Sequence, residues 1–335
     1  MNILYLIGNG FDIAQGLKTS YQDFYNYLVT QKPINAVAAQ MIQAIKGEEY
    51  EKWSDLELEL GKFTAKVSDK ATFEVFYFDL CSKLKKYLKD QVDTFNPETH
   101  IIEKYIRDLV RPDNYLTNRE RQIYADYIRR FTDTRRIVIV SFNYTNVVDK
   151  CLDIFNSERI LPFRSFEYKL GRLLNIHGTL ETPYLLMGVN DESQISNPIF
   201  SKDEDVQDYL VKPKSNYELG TEMDDQVAGG IDNANLIIAM GLSFGATDQV
   251  WWKRIGQRLR QTTPLRIIIF AHEDYLPEDE RLQQRIKRRI RRDFLSKCEI
   301  EVDAQSLYQE NIMVCLNKGL FSPDTIIFND ERIGI

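Results

Sequence analysis

Ile3-Leu4-Tyr5-Leu6-Ile7, followed at once by Gly8-Asn9-Gly10-Phe11-Asp12, is a continuous apolar run of β-type residues closed by a glycine pair. A strand with no polar face is one covered on both faces, so this run reads as a buried parallel strand ending in a tight turn. Three similar runs come much later, at Ile137 to Val140, Leu236 to Met240 and Arg266 to Ala271. The first leads through a polar loop into a helical stretch near Val147 to Phe155. The second precedes a helix across Gln249 to Leu259, and the third precedes Pro277 to Phe294. Strand, loop and helix repeated in this way predict an α/β fold, a parallel sheet with helices on both faces.

Between the first strand and Ile137 the apolar residues change to helical spacing. Leu56, Leu60, Phe63 and Val67 fall on one helix face, as do Phe76, Leu80, Leu84, Tyr87 and Leu88. Ser54-Asp55-Leu56-Glu57 has the Ser-x-x-Glu spacing of a capping box. Residues from about 20 to 135 therefore read as a large helical insertion that could shape or lid a site. From about 193 to 232 the composition turns polar around Pro198, Pro213 and Gly229-Gly230, which predicts a loop-rich excursion with at most one short helix.

The formal net charge of −7, from 43 Lys+Arg against 50 Asp+Glu, supplies no global field to attract a nucleic-acid backbone. Cys81, Cys151, Cys298 and Cys315 lie far apart without a Cys-x-x-Cys pair, which points to reduced thiols rather than a zinc ribbon or a disulfide framework. No apolar run approaches the roughly 20 residues that span a bilayer, and the first residues lack a basic leader. A cytoplasmic protein without a membrane partner is expected.

Chemistry is sought where strands end, because ligands of open α/β sheets sit outside the carboxyl ends of the strands. Gly8 and Gly10 would let backbone N–H groups approach a pyrophosphate, although a plain tight turn has the same signature and a third fingerprint glycine is absent. Asp12 would cap the following helix or meet a ribose hydroxyl. Asn143, in Ser141-Phe142-Asn143-Tyr144-Thr145-Asn146, either projects an amide into the cleft or satisfies loop backbone. His177 is one of three histidines, and Gly178 after it would let a ligand or another backbone come close; a structural histidine is the alternative. His100 reads as surface, and His272 either borders the cleft or is structural. Gly241 to Asp248 offers Ser243 for phosphate or ribose, while Thr247 or Asp248 suits an N-cap. Trp251 and Trp252 read as core or partner surface. Arg285, Lys287, Arg288, Arg289, Arg291 and Arg292, within the basic stretch Arg281 to Arg292, read as a solvated helix face, with nucleic-acid contact the lesser alternative.

Taken together, these segments resemble the AbiH family of bacterial phage abortive-infection proteins and, more distantly, the sirtuin-like NAD-binding fold. The resemblance rests on Leu6 to Asp12 continuing through Gly16-Leu17-Lys18-Thr19-Ser20-Tyr21-Gln22-Asp23-Phe24, then on Trp53 to Glu57, Ser141 to Thr145, Ile176-His177-Gly178, Gly188-Val189-Asn190 and Gly241 to Asp248, in order. It implies that residues 1–335 form a single sirtuin-like Rossmann domain carrying the insertion and the excursion.

The resemblance also implies roles. Gly8, Asn9, Gly10, Phe11 and Asp12 would hold NAD at the pyrophosphate end, with Gly178, Asn190, Gly241, Ser243 and Asp248 as further contacts. Asn143 would position the ribose or a water, and His177 would accept a proton. The expected activity is antiviral defence through hydrolysis of the nicotinamide–ribose bond of NAD, with no metal required. The alternatives are a nucleotide-sensing module without turnover and a nuclease-type effector. Departures are Thr145 where the sirtuin pattern has Asp, Leu242 where many AbiH relatives carry His, and the missing paired zinc cysteines of protein deacylases. The partners implied are NAD or a related nucleotide and a phage-derived trigger; the reading leaves room for a homo-oligomer and gives little weight to nucleic acid.

Overall fold

The computed structural model describes residues 1–45, 53–132, 134–152, 159–163 and 166–323. Its centre is a sheet of seven strands: β1 Asn2–Ile7, β2 Arg135–Ser141, β3 Arg159–Phe163, β4 Phe166–Asn175, β5 Leu236–Met240, β6 Arg266–Ala271 and β7 Ile312–Leu316. They lie in the order β3-β4-β2-β1-β5-β6-β7. Every pairing is parallel except β3 with β4. β1 is therefore flanked by β2 on one side and β5 on the other, and Ile7 stands level with Ser141 and Met240.

The period-two alternation of strand side chains divides the core into two layers. Ile3, Tyr5, Ile7, Ile137, Ile139, Leu236, Ile238, Ile268 and Met313 pack on one face with Tyr105 and Leu109 of helix Thr99–Val110 and Tyr124 and Tyr127 of helix Asn118–Ile128. Leu4, Leu6, Val140, Ile237, Ala239, Ile267 and Val314 face the other way. They meet Trp251, Trp252 and Ile255 of helix Gln249–Leu259, Val227 and Ile231 of helix Met223–Asp232, and Phe294 and Leu295 of helix Glu280–Lys297. Helices on both faces are what the uninterrupted apolar runs required.

A second core lies away from the sheet. Helices Tyr21–Leu28, Ala36–Ala44, Trp53–Phe63 and Lys70–Val92 bury Phe24, Met41, Leu56, Leu60, Phe73, Leu80 and Leu84 together with Leu185, Met187, Val189, Phe200, Leu210 and Val211. Ser20 opens the first of these helices with a complete capping box, its side chain accepting from the Asp23 N–H while Asp23 accepts from the Ser20 N–H. The side chains of Ser54 and Asp55, and the end of the helical stretch toward Phe155, lie outside the described residues.

Several readings need correction. The polar stretch from 193 to 232 is helical: Glu204–Leu210, Lys212–Glu218 and Met223–Asp232 are α-helices. Asp203 caps the first, and Pro213 sits in the first turn of the second, where its missing N–H costs nothing. The helix after β6 is Glu280–Lys297, and its basic residues are not all solvated. Lys287 is buried with its ammonium 3.4 Å from Glu120, and Arg291 donates to the Ile312 carbonyl at 2.8 Å. Both tie the helix to the body of the protein. Trp251 and Trp252 are core. His100 and His272 are exposed, paired with Glu98 and Asp274, so His272 does not border the cleft. All four cysteines are free thiols. Among the described residues, no helix is long and apolar enough to cross a membrane.

β1 and β5 are joined beyond their ends by backbone approaching backbone. The Gly8 N–H donates to the Met240 carbonyl at 2.9 Å and the Gly10 N–H to the Gly241 carbonyl at 3.0 Å. A Cβ at Gly10 would lie 2.5 Å from the Gly241 Cα, whereas one at Gly229, inside helix Met223–Asp232, would meet open space. Gly10→Ala is therefore expected to cost about 2–3 kcal/mol by forcing the two loops apart. Gly229→Ala should instead stabilise by about 0.5–1 kcal/mol through helix propensity. Urea unfolding of the two variants beside the parent checks the opposite signs.

Candidate functional site

Four neighbouring parallel strands, β4, β2, β1 and β5, release their chains at one edge of the sheet. The segments that follow them carry His177, Asn143, Asp12 and Asp248. The loop from Phe142 to Thr145 sends alternate residues to two different polar groups.

Asn143 and Thr145 turn to Asp12. The Asn143 amide donates from Nδ2 to Asp12 Oδ1 at 2.8 Å, and the Thr145 hydroxyl donates to Asp12 Oδ2 at 2.5 Å. Asp12 is fully buried, and burial pushes its carboxyl up to about 7 against the lowering effect of those two bonds. It does not cap the helix Gly10–Ala14, which has no side-chain cap. The Asn143 side chain is thus anchored through its nitrogen, while its Oδ1 is buried without a hydrogen-bond partner. Thr145 thus reaches a carboxylate supplied by the helix Gly10–Ala14.

Phe142 and Tyr144 turn to His177. The imidazole is buried, with Nδ1 3.2 Å from the Phe142 carbonyl oxygen and Nε2 2.9 Å from Asp248 Oδ1. Both partners are acceptors, so both bonds are made together when both ring nitrogens carry protons and the ring is an imidazolium. Asp248 also accepts from Lys212 Nζ at 3.1 Å, and Lys212 reaches Glu57 Oε2 at 2.9 Å. Glu57 accepts from the Tyr144 hydroxyl at 2.7 Å and from the Thr247 hydroxyl at 2.5 Å. The result is a buried chain of ionisable groups, basic and acidic in turn: His177, Asp248, Lys212, Glu57. Burial alone would raise the Asp248 carboxyl, yet Lys212 and His177 outweigh it and hold it well below the usual carboxylate range. Burial likewise opposes the Lys212 charge, but Asp248 and Glu57 keep its ammonium above the ordinary lysine value.

A narrow cleft opens on this chain, lined among others by His177, Asn190, Lys212, Asn216 and Asp248, with a volume near 10 Å³, room for about one water. Of the residues singled out from the sequence, His177, Asn190 and Asp248 meet there. Asn143 and Asp12 belong to the neighbouring group and do not line it. Asn190 also caps a helix, its Oδ1 accepting from the Val250 N–H at 2.8 Å. Asp248 holds the N-cap position of helix Gln249–Leu259 without a side-chain capping bond, its carboxylate being spent on His177 and Lys212.

The glycine turn differs from its expected use. The N–H groups of Gly8 and Gly10 are consumed by the β5 loop, so the turn serves close packing and does not offer those donors to a pyrophosphate. The Asn9 side chain is held by Thr19, donating to its carbonyl and accepting from its hydroxyl, both at 2.8 Å. Phe11 is core, packed against Tyr105 and Phe321. Gly178, at φ +75°, admits a backbone rather than a ligand: a Cβ there would lie 2.7 Å from the Tyr184 carbonyl oxygen. Gly241, at φ +67°, closes on Gly10, and Ser243 is exposed. Glu57 and Lys212 were missed as site residues. Glu57 carried the signal of a cap, and Lys212 lay in a stretch read as loop. Among the described residues, no group of three or more His, Cys, Asp or Glu side chains could hold a metal ion.

The sequence profile of the family described as bacteriophage abortive infection AbiH matches residues 4–270. That span runs from β1 through the site to the end of β6. No curated protein gives a match.

Two outcomes follow from the electrostatics. Lys212→Met leaves Glu57 and Asp248 buried without their shared cation, and stability should fall by about 3–5 kcal/mol in denaturant titrations. Asp12 titrates higher in the folded chain than unfolded, so its contribution is full below about 4 and is lost as pH rises through about 7. Thermal unfolding of Asp12→Asn between pH 4 and pH 7 should therefore show a smaller decline with pH than the parent.

Proposed function

Because the chain belongs to the AbiH family of bacteriophage abortive-infection proteins, we propose that it is an anti-phage effector acting on NAD at the carboxyl edge of its sheet. The reaction is hydrolysis of the nicotinamide–ribose bond. Nicotinamide leaves as a neutral group from a cationic substituent, so the transition state is a ribosyl oxocarbenium ion and the protein's work is to fix the ribose and place a water. The observation that carries this reading is the buried, unpartnered Oδ1 of Asn143. Its amide nitrogen is held by Asp12, so the oxygen has one fixed direction and accepts from a water or a ribose hydroxyl.

His177 accepts the proton in this reading as the neutral imidazole, whose unprotonated Nε2 is free when Asp248 shifts wholly onto Lys212 and Nδ1 keeps its proton on the Phe142 carbonyl. Asp12, pushed up to about 7, is a second group whose titration falls where proton acceptors work best. Asn190 and Asp248 border the ligand. Gly8, Gly10 and Gly241 support the edge by packing, and the phosphates are left to other donors. An NAD molecule requires far more than one water's volume, so the cleft opens before turnover, in keeping with an activity that a phage-derived trigger must release.

A second reading is favoured by that same closure: a cleft with both imidazole nitrogens engaged suits a module that senses a nucleotide and does not turn it over. Measuring NAD and nicotinamide in bacteria expressing the chain through phage infection separates the two. Hydrolysis predicts NAD loss with stoichiometric nicotinamide, reduced at least about 100-fold in rate by His177→Ala or Asn143→Ala while nucleotide binding by the purified variants persists. Unchanged NAD during an infection that the chain arrests would overturn the hydrolytic reading.

A further inference from the structure

A second space beside the site is much larger than the cleft. A cavity of about 420 Å³ lies between helix Lys70–Val92, the segment 183–186 and the helices Glu204–Leu210 and Lys212–Glu218. That volume is within the range of pockets that hold small molecules and would take a ligand with one or two fused rings. One wall is aromatic. Tyr77 and Tyr209 have ring centroids 4.8 Å apart, and Phe78 stands 5.3 Å from Tyr77 and 5.5 Å from Tyr209. Tyr184 adds a fourth ring to the lining. Tyr77 is fixed from behind, its hydroxyl bonding the carbonyl oxygens of Met187 at 2.9 Å and Tyr209 at 2.7 Å. Its ring therefore remains an apolar face while its polar end is satisfied, which suits stacking on a planar partner.

Two paths, one through hydrogen bonds and one through a helix, join this cavity to the charged chain. Leu186 lines the cavity, yet its N–H donates to the His177 carbonyl at 2.9 Å and its carbonyl accepts from the Tyr144 hydroxyl at 3.4 Å. The helix Lys212–Glu218 presents Lys212 and Asn216 to the cleft and Ser215 and Glu218 to the cavity. A molecule pressing on one side of that two-turn helix moves the ammonium that binds Asp248 and Glu57 on the other.

We infer that this cavity is a binding site for a small planar aromatic or heteroaromatic molecule, whose occupancy is communicated to His177 through Leu186 and the helix Lys212–Glu218. The inference does not depend on what the cleft binds. The probe is 5-fluoroindole, followed by ¹⁹F NMR of the ligand and by ¹⁵N-resolved imidazole signals of the full chain. Saturable binding is expected, weakened at least about tenfold by Cys81→Trp, which fills the cavity from helix Lys70–Val92. Ser82→Trp, at an exposed position on the rim, gives the same test without burdening the core. The His177 ring signals should shift on binding, while those of exposed His100 and His272 stay in place. Absence of saturable binding, or binding that survives both tryptophan variants, overturns the site. Saturable, tryptophan-sensitive binding that leaves His177 unmoved overturns the communication.

Discussion

The contact on which the candidate site depends is backbone against backbone, where the β1 loop meets the β5 loop. Gly8, Gly10 and Gly241 meet there without side chains, and two N–H groups are paired with carbonyls at 2.9 and 3.0 Å. This approach fixes the start of the helix Gly10–Ala14 and so sets Asp12 beneath Asn143. It also sets the path of the chain from Gly241 to Asp248, whose carboxylate must arrive at His177. The glycines of the opening motif thus act on the site by leaving room for two backbones to approach. A donor spent inside the fold is no longer a donor for a phosphate, and the resemblance to a dinucleotide turn stops at that point.

The rest of the opening signature has comparable physical causes. Gly16 is at φ +79°, Thr19 holds the Asn9 amide through two hydrogen bonds, and Ser20 with Asp23 completes a capping box. A motif that looks like a ligand fingerprint is largely the closure of a loop and the start of a helix. Strands β1, β2, β5 and β6 were legible because a strand covered on both faces has no polar residue to interrupt it. β7 obeys the same rule, Ile312 to Leu316 being wholly buried, and it was readable on that criterion but was not singled out. β4 was not legible: Glu167, Lys169 and Arg172 break its pattern, and its partner β3 forms the antiparallel edge where charge is tolerated.

Site residues divide along the same line. Asn143, His177 and Asp248 stand just past strand ends, where local sequence announces them. Glu57 and Lys212 come from helices of the second core, and only the tertiary fold brings them within 3 Å of each other. Nothing local distinguishes a glutamate that pairs with a buried lysine from one that caps a helix. The same limit explains the basic helix, where Lys287 and Arg291 face Glu120, 167 residues away from Lys287 in the chain.

The charged chain joins the two cores. His177 and Asp248 belong to loops of the sheet, whereas Lys212 follows Val211 and Glu57 follows Leu56, both residues of the second core. Signs alternate across the boundary, so separating the cores would place Asp248 and Lys212 each in a low-dielectric surface with half its compensation lost. Such a contact resists partial opening and holds the cleft at the size of one water. It also gives a defined way to open. A ligand that supplied an anion to Lys212 would compete with Asp248 there and loosen the contact across the boundary. A ligand that moved the helix Lys212–Glu218 from its cavity side would act on the same ion pair from behind. In either case the control point is the Lys212–Asp248 contact at 3.1 Å, because it is the one ion pair in the chain whose partners belong to different cores.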